Sequence, residues 1–433
     1  MEWSVVLVLC STFFLFLFIG VPISFSIGLA SLITVMMSVP FDAAITVITQ
    51  KMASGLDSFS LLAIPFFILA GNIMNRGGIA LRLIEFAKVI GGRLPGSLAH
   101  VNVLANMMFG SISGSAVASG AAMGGIMSPL QKKEGYDPAF SAAVNIASCP
   151  TGLLIPPSNT FIVYSLVTGG TSIGALFLAG YIPGILMGLS IMLIIGYIAK
   201  KRNYPVSLKP TKSEVFKKTL DALPSLGLIV VIMGGIIVGI FTATEASAFA
   251  VVYTLILAVL IYREVSIKEL PKVILESVVT TAIVLLLIGT SMGMSWVMAN
   301  ADIPYTISDG LLAISDNPIV ILLIINIILL IVGVFMDMTP ALLIFTPIFF
   351  PIVTDLGMDP VHFGILMAFN LSIGICTPPV GSALFIGCSV GGVRINQVIK
   401  PLLPFYAVLI LALLLVTYVP SLSLALPQLL LGY

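Results

Sequence analysis

The chain has 433 residues, of which 59% are hydrophobic and only 9% charged. A soluble domain carries about 25% charged residues, so this chain cannot cover its outside with polar groups; that excludes cytosolic enzymes, nucleic-acid binders and secreted disulfide scaffolds. With 19 Lys and Arg against 18 Asp and Glu, the net charge is +1, and no surface for nucleic acid is implied. What remains is an integral protein of a lipid bilayer, long enough for roughly ten crossings at ~20 residues each.

In chain order, the first apolar stretch runs from Trp3 to Phe41. Its only early charge is Glu2, with no basic region ahead of it, and it is too long for a secretory signal. It reads as two anchoring helices broken at Gly20-Val21-Pro22. Further apolar segments fall at about 61–75, 96–112, 115–130, 138–168, 173–199, 223–240, 245–262, 273–299, 318–335, 339–354, 361–391 and 400–420. The cysteines Cys10, Cys149, Cys376 and Cys388 lie in apolar runs without CxxC spacing and read as small hydrophobes.

Lys and Arg mark the cytoplasmic side. The densest cluster, Lys200 to Lys218, is expected to be a solvated cytoplasmic loop. Arg76, Arg82, Lys88 and Arg93 share a side with Lys132 and Lys133 only if 96–130 enters and leaves the membrane on that side, as a re-entrant hairpin. Downstream, 300–317 and Asp355–Asp359 carry acids but no basic residue, which makes 318–354 a second hairpin opening to the outside. Under this assignment 18 of the 19 basic residues are cytoplasmic, Lys51 being the exception.

The hairpin regions also match in sequence at a constant offset of 222 residues. Pro129 pairs with Pro351, Asp137-Pro138 with Asp359-Pro360, Gly152 with Gly374, Pro156-Pro157 with Pro378-Pro379, and Gly169-Gly170 with Gly391-Gly392. Copies facing opposite sides form an inverted-topology repeat, the architecture of secondary transporters with broken helices at the midplane. A duplicated channel is the alternative; the paired re-entrant hairpins argue against it.

Irregular backbone inside a bilayer is tolerated where it is buried or lines a polar cavity. Four such places occur: the hairpin turns Gly110–Ala116 and Gly333–Pro340, and the breaks Gly152–Thr160 and Gly374–Ser382. A double proline lacks two N–H donors and frees carbonyls of the preceding turn. Those carbonyls, with Ser and Thr hydroxyls, suit a hard cation, and the half-helix that follows aims its N–H groups at a carboxylate. Ser115 falls on Asp337 at the offset of 222. Asp337, an acid at membrane depth, is the most informative residue; its alternative role is to cap helix 339–354. Gly110-xxx-Gly114 near Ser113 and Ser115 is also a helix-packing motif, and Ser158 and Asn159 could cap their half-helix.

Thr242-Ala243-Thr244-Glu245 fits a capping box, and His100 and His362 stand alone at loop edges without a chemical role. An intramembrane serine protease would need Gly-x-Ser-Gly, but Ser111-Ile112-Ser113-Gly114 lacks the first glycine. HExxH and Walker-type motifs are absent, so neither an enzyme nor an ATP-driven pump is expected.

Gly110-Ser-Ile-Ser-Gly-Ser-Ala, Ile155-Pro-Pro-Ser, Gly180-Tyr-Ile-Pro-Gly, Phe241-Thr-Ala-Thr-Glu-Ala, Met336-Asp and Thr377-Pro-Pro-Val-Gly together resemble the large membrane subunit of TRAP (tripartite ATP-independent periplasmic) transporters, in family order across almost the whole chain. The resemblance implies an elevator-type, sodium-driven importer of organic acids (a C4-dicarboxylate, a sugar acid or a related carboxylate) in the bacterial inner membrane. Its partners would be a periplasmic substrate-binding protein and a small four-helix membrane subunit, here expected as a separate polypeptide.

The implied division is an N-terminal scaffold and arm over 1–95, a first transport repeat over 96–199, a loop with scaffold helices over 200–299, a second repeat over 300–400 and a C-terminal helix over 401–433. Two sodium sites are implied, one from Ser113, Ser115 and the carbonyls of Gly152, Ile155 and Pro156. The other would use Gly333, Gly374 and Thr377 beside Asp337. Ser115, Ser158, Asn159, Asp337, Gly381 and Ser382 are the candidate substrate contacts. A basic residue found in some acidic-sugar members is missing around Ala299–Asp302, which weakens a sialic-acid assignment. The rival reading is a binding-protein-independent sodium/dicarboxylate symporter of similar design.

Overall fold

The computed structural model describes residues 3–206 and 211–433, so Glu2 and Lys209 lie outside the described residues. α1 (Trp3–Ile19) and α2 (Ile23–Val35) form the expected N-terminal pair, broken where Gly20 takes a φ of 89°. α3 (Phe41–Leu56), α4 (Ala63–Arg76) and α5 (Ile79–Gly91) follow. The apolar-run reading passes over α3 and α5 because charges interrupt them. α5 nonetheless buries Ile79, Ala80, Leu83, Ile84 and Ala87 along one face, an amphipathic stripe that holds it to the core.

The first hairpin is α6 (Ser97–Ser113) and α7 (Ala116–Lys133), and the first broken helix is α8 (Pro138–Ser148), α9 (Thr151–Leu154) and α10 (Asn159–Val167). Next come α11 (Ile173–Arg202), α12 (Lys212–Ile237), α13 (Ala243–Leu255) with a π-helical end, α14 (Leu270–Asn300) and α15 (Ile303–Ile314). The second hairpin is α16 (Pro318–Phe335) and α17 (Met338–Asp355), and the second broken helix is α18 (Pro360–Gly374) and α19 (Ser382–Gly391). α20 (Ile395–Tyr418) and α21 (Ser421–Leu431) complete the chain. Eight of the described helices are long and apolar enough to cross a membrane, nine if the bent pair around the first double proline counts as one more.

Several expectations are corrected. The segment 200–218 is not all loop: a capping box between Thr211 and Glu214 starts α12 at Lys212, so Lys212, Lys217 and Lys218 are helical. The C-terminal helix expected over 401–433 is two helices, α20 beginning earlier at Ile395 and α21 following a break at Val419-Pro420. His100 and His362 stand in the opening turns of their helices, as expected of loop-edge residues, but packing buries them. They belong to α6 and α18 and are each 3% exposed, and His362 Nε2 lies 2.8 Å from the Val416 carbonyl. Glu245 does close a capping box, its Oε2 accepting from the Thr242 N–H and hydroxyl at 2.8 Å.

The repeat is visible in the architecture. α7 and α17 are related by the offset of 222 at both ends. Packing is exchanged between copies: α10 of the first lies on α17 of the second, and α19 of the second lies on α7 of the first. Ion pairs join segments that the basic-residue rule puts on one side: Arg76–Glu276 at 2.6 Å, Arg82–Glu264 at 3.8 Å, Lys218–Glu85 at 2.8 Å and Arg202–Asp137 at 2.8 Å. Burial alone would raise the Glu85 carboxyl, but Lys218 and Lys88 outweigh it and hold it below its ordinary value. Lys51, the exception, stacks over Trp296 at 5.9 Å. Trp296 lies roughly 30 Å along α14 from Glu276 at 1.5 Å per residue, about a bilayer core away.

Candidate functional site

Each hairpin crosses its own broken helix at a pair of glycines. A Cβ on Gly110 would stand 2.8 Å from Gly152 Cα, and one on Gly333 would stand 2.9 Å from Gly374 Cα. Only glycine lets the backbones meet this closely. The Gly110-xxx-Gly114 motif therefore splits in role. Gly110 makes the crossing, while Gly114 leaves the helix in the left-handed region, φ 61°, beside Asn159.

At the breaks, the carbonyls of Gly152 and Gly374 look four residues ahead to Pro156 and Pro378, which carry no N–H. Both double prolines contain a cis bond, Pro156-Pro157 and Pro378-Pro379. The freed groups are only partly taken up. The Ile375 carbonyl accepts from Ala383 and Leu384 N–H at 3.1 and 3.4 Å, and the Cys376 carbonyl accepts from the Tyr406 hydroxyl at 2.6 Å. In the first copy, Gly180 and Gly184 of the Gly180-Tyr-Ile-Pro-Gly motif press α11 onto Leu154 and Ile155. Gly381 has a backbone role, its Cα side lying against the Ile375 and Thr377 carbonyls. Thr377 Oγ1 donates to the Ile373 carbonyl at 2.9 Å, and the Gly374 carbonyl accepts from the Thr377 N–H at 2.9 Å.

The tips face a common cavity of about 370 Å³. Ser113, Ser115, Asn159, Asp337 and Ser382 line it, with Thr160 and Thr339 beside them. Ser158, Gly381, Gly152, Ile155, Pro156, Gly333, Gly374 and Thr377 do not line it; they form the crossings and breaks behind the tips. Ser115 N-caps α7, accepting from Ala118 N–H at 3.2 Å. Asp337 occupies the same position ahead of α17, but its carboxylate makes no cap bond. It accepts from the Ser382 hydroxyl at 3.0 Å instead, which joins the second tip to the second break. Ser158 is the N-cap of α10 by position yet caps nothing; neither its hydroxyl nor Asn159 Oδ1 has a hydrogen-bond partner, although both are buried.

Hydroxyls and a carboxylate at the tips, with break carbonyls behind them, bring together oxygen atoms of the kind hard cations prefer. Sequence reasoning missed the opposite wall. α4 contributes Ile64, Ile68, Gly71, Asn72 and Asn75, and α14 contributes Thr280 and Val284. The signal was present as polar Asn72 and Asn75 on the Ile64–Ile68 face of an otherwise apolar helix.

An all-α membrane protein whose two inverted hairpin repeats turn their tips toward one polar cavity has the build of a secondary transporter. Residues 10–422 match the family described as tripartite ATP-independent periplasmic transporter, DctM component, and the chain belongs to it. It is a transporter permease rather than an enzyme. It is 60% identical to the uncharacterized protein YgiK of Salmonella typhimurium, over 98% of this chain and 97% of that protein. It is 40% identical to the C4-dicarboxylate TRAP transporter large permease protein DctM of Pseudomonas aeruginosa, covering 93% and 94% of the two chains. It is 39% identical to the sialic acid TRAP transporter large permease protein SiaM of Vibrio cholerae, covering 96% and 97%. Among solved structures, the Alcanivorax borkumensis YdaH transporter shares the fold at a TM-score of 0.63, with 14% identity and coverage of 87% and 88%.

Proposed function

We propose that the chain imports organic acids across the bacterial inner membrane, driven by co-transported sodium. A periplasmic binding protein delivers the acid, and a small four-helix subunit completes the membrane complex. The relatives named for a C4-dicarboxylate and for sialic acid support carboxylates as the substrate class, and family membership favours this reading over a binding-protein-independent symporter. The observation that carries it is Asp337, among the described residues the one acidic side chain lining the cavity, placed at a hairpin tip and hydrogen-bonded to a helix break.

The first sodium site takes Ser113 and Ser115 with the carbonyls of Gly152, Ile155 and Pro156; the second takes Gly333, Gly374 and Thr377 with Asp337. The substrate carboxylate lies between them, near Ser115, Asn159 and Ser382, where the half-helix N–H groups and the two cations offset its charge. Ser158 and Gly381 hold the breaks in shape for it. The hairpins and broken helices move as one transport body against the scaffold that includes α4 and α14. Such a body moves only when its charges are matched, because a bare carboxylate such as Asp337 is costly to carry through lipid.

The test is reconstitution of all three components in proteoliposomes. An inward sodium gradient drives uptake of the acid that the binding protein holds, and replacing sodium by choline stops it. Uptake at the same rate without sodium rejects the coupling.

A further inference from the structure

The cavity wall formed by α4 and α14 belongs to neither repeat. On α4, Ile64, Ile68, Gly71, Asn72 and Asn75 share one helical face, apolar where it begins and amide-bearing where it ends. This wall touches the first tip directly: a Cβ on Gly71 would stand 3.1 Å from both Cα and the carbonyl oxygen of Ser113. Two amides are thus placed next to the tip.

The orientation of Asn72 follows from its partner. Ser277 donates its single hydroxyl hydrogen to the Val273 carbonyl at 2.8 Å, so toward Asn72, also at 2.8 Å, it can only accept. Asn72 must turn Nδ2 to Ser277. Its Oδ1 and one remaining N–H are then left for the cavity. Thr280 donates to the Glu276 carbonyl at 3.0 Å and keeps its lone pairs as acceptors. Asn75 is exposed.

We propose that Asn72, Asn75 and Thr280 form a second half of the substrate site, which reads the hydroxyl groups of a singly charged, polyhydroxylated acid while its carboxylate rests at the hairpin tips. The proposal rests on the reading of this cavity as the substrate site. Charge selects the class. Among the described residues, the cavity lining contains one acidic side chain, Asp337, and no Lys, Arg or His. Arg76, next to Asn75, is engaged by both oxygens of Glu276 at 2.6 and 2.7 Å. The far carboxylate of a dicarboxylate would therefore meet only neutral groups, without a counter-charge to offset its desolvation. A hydroxyl both donates and accepts, and an amide supplies one group of each kind to match it.

The experiment uses the purified permease with its small membrane subunit, followed by thermal unfolding at fixed sodium and ionic strength. The probes are D-gluconate and D-glucuronate as singly charged polyols, and succinate as a dicarboxylate without hydroxyls. A polyol acid raises the unfolding temperature and succinate does not. Asn72→Leu and Asn75→Leu each weaken half-saturation by about tenfold, the size of one or two lost hydrogen bonds. The stabilisation by sodium alone persists in both variants. Asn75 is exposed, so its variant reports on the site even if Asn72→Leu disturbs the contact with Ser277. Stabilisation by succinate equal to that by the polyols, unchanged half-saturation in both variants, or no response to either polyol acid overturns the proposal. Loss of the sodium response in the unmodified protein instead overturns the transport reading beneath it.

Discussion

At the first hairpin tip, Gly114 turns left-handed and Ser115 bonds its hydroxyl to the Ala118 N–H, closing the start of α7. At the second, Met336 stays extended, and Asp337 stands at the equivalent N-cap but reaches across to Ser382. Both tips present the N-terminus of a second hairpin arm to the cavity. In one the side chain is occupied with its own helix. In the other it is turned toward the break and still faces the cavity. The two copies thus place a side chain at the same N-cap position by different backbone turns, and only the second carries a carboxylate there, which is left off its own helix.

The largest expected effect tests that difference. Asp337→Ala abolishes sodium-driven uptake in proteoliposomes holding all three components, yet leaves the unfolding temperature almost unchanged, because the carboxylate caps no helix. Retained uptake with the same sodium dependence would remove the asymmetry.

Next come the crossings, where the two copies should behave alike. Gly152→Ala and Gly374→Ala each push a methyl into the facing backbone and cost about 1–3 kcal/mol, the range for overpacking; chemical denaturation of the purified complex measures it. A large loss in one copy only would mean that the crossings are not equivalent.

Ser115→Ala should show the reverse of the Asp337 pattern. Stability falls by about 1 kcal/mol, as for a lost N-cap, and uptake is reduced without disappearing. Complete loss of uptake at normal stability would give Ser115 the role assigned here to Asp337.

The smallest effect concerns the basic side, where Glu85 ties α5 to Lys218 of α12. Its folded pKa is depressed, so its contribution is present above the ordinary carboxylate value of about 4.3 and is lost as pH falls through the depressed one. Unfolding temperature is flat on this account from pH 8 to 6, and Glu85→Gln shallows the decline below about pH 4. An equal change at neutral and acid pH would place the effect elsewhere.

Much of this was legible in the chain because Gly, Pro and Asp stand out against an apolar background. The offset of 222 paired the two breaks and the two tips, and the limits of α7 and α17 are related by it. What escaped was settled by partners far away in sequence. Asn72 and Asn75 show locally as two amides on an apolar helix face, a pattern that a membrane edge also gives, and they acquire meaning only when α4 lies beside the first tip. Asp337 carries a sequence signature for capping, yet Ser382, 45 residues on, draws its carboxylate away. His100 and His362 looked like edge residues because helix starts near Pro and Gly resemble loops, although tertiary packing buries both. α3, α5, α15 and α21 are short or interrupted by charge or proline, so a search for long apolar runs passes over them.

The exchanged packing of α10 on α17, and of α19 on α7, makes the two copies partners in one equilibrium. The half-helix that begins beside the first tip rests on the arm that begins at Asp337. On the sites proposed above, filling one tip is expected to change the free energy of the arrangement that the other tip must adopt. Linkage makes this reciprocal: whatever factor the first ligand applies to the affinity of the second, the second returns to the first. A titration with sodium at fixed substrate and one with substrate at fixed sodium should then yield the same coupling factor, and that number measures how stiffly the two halves are joined.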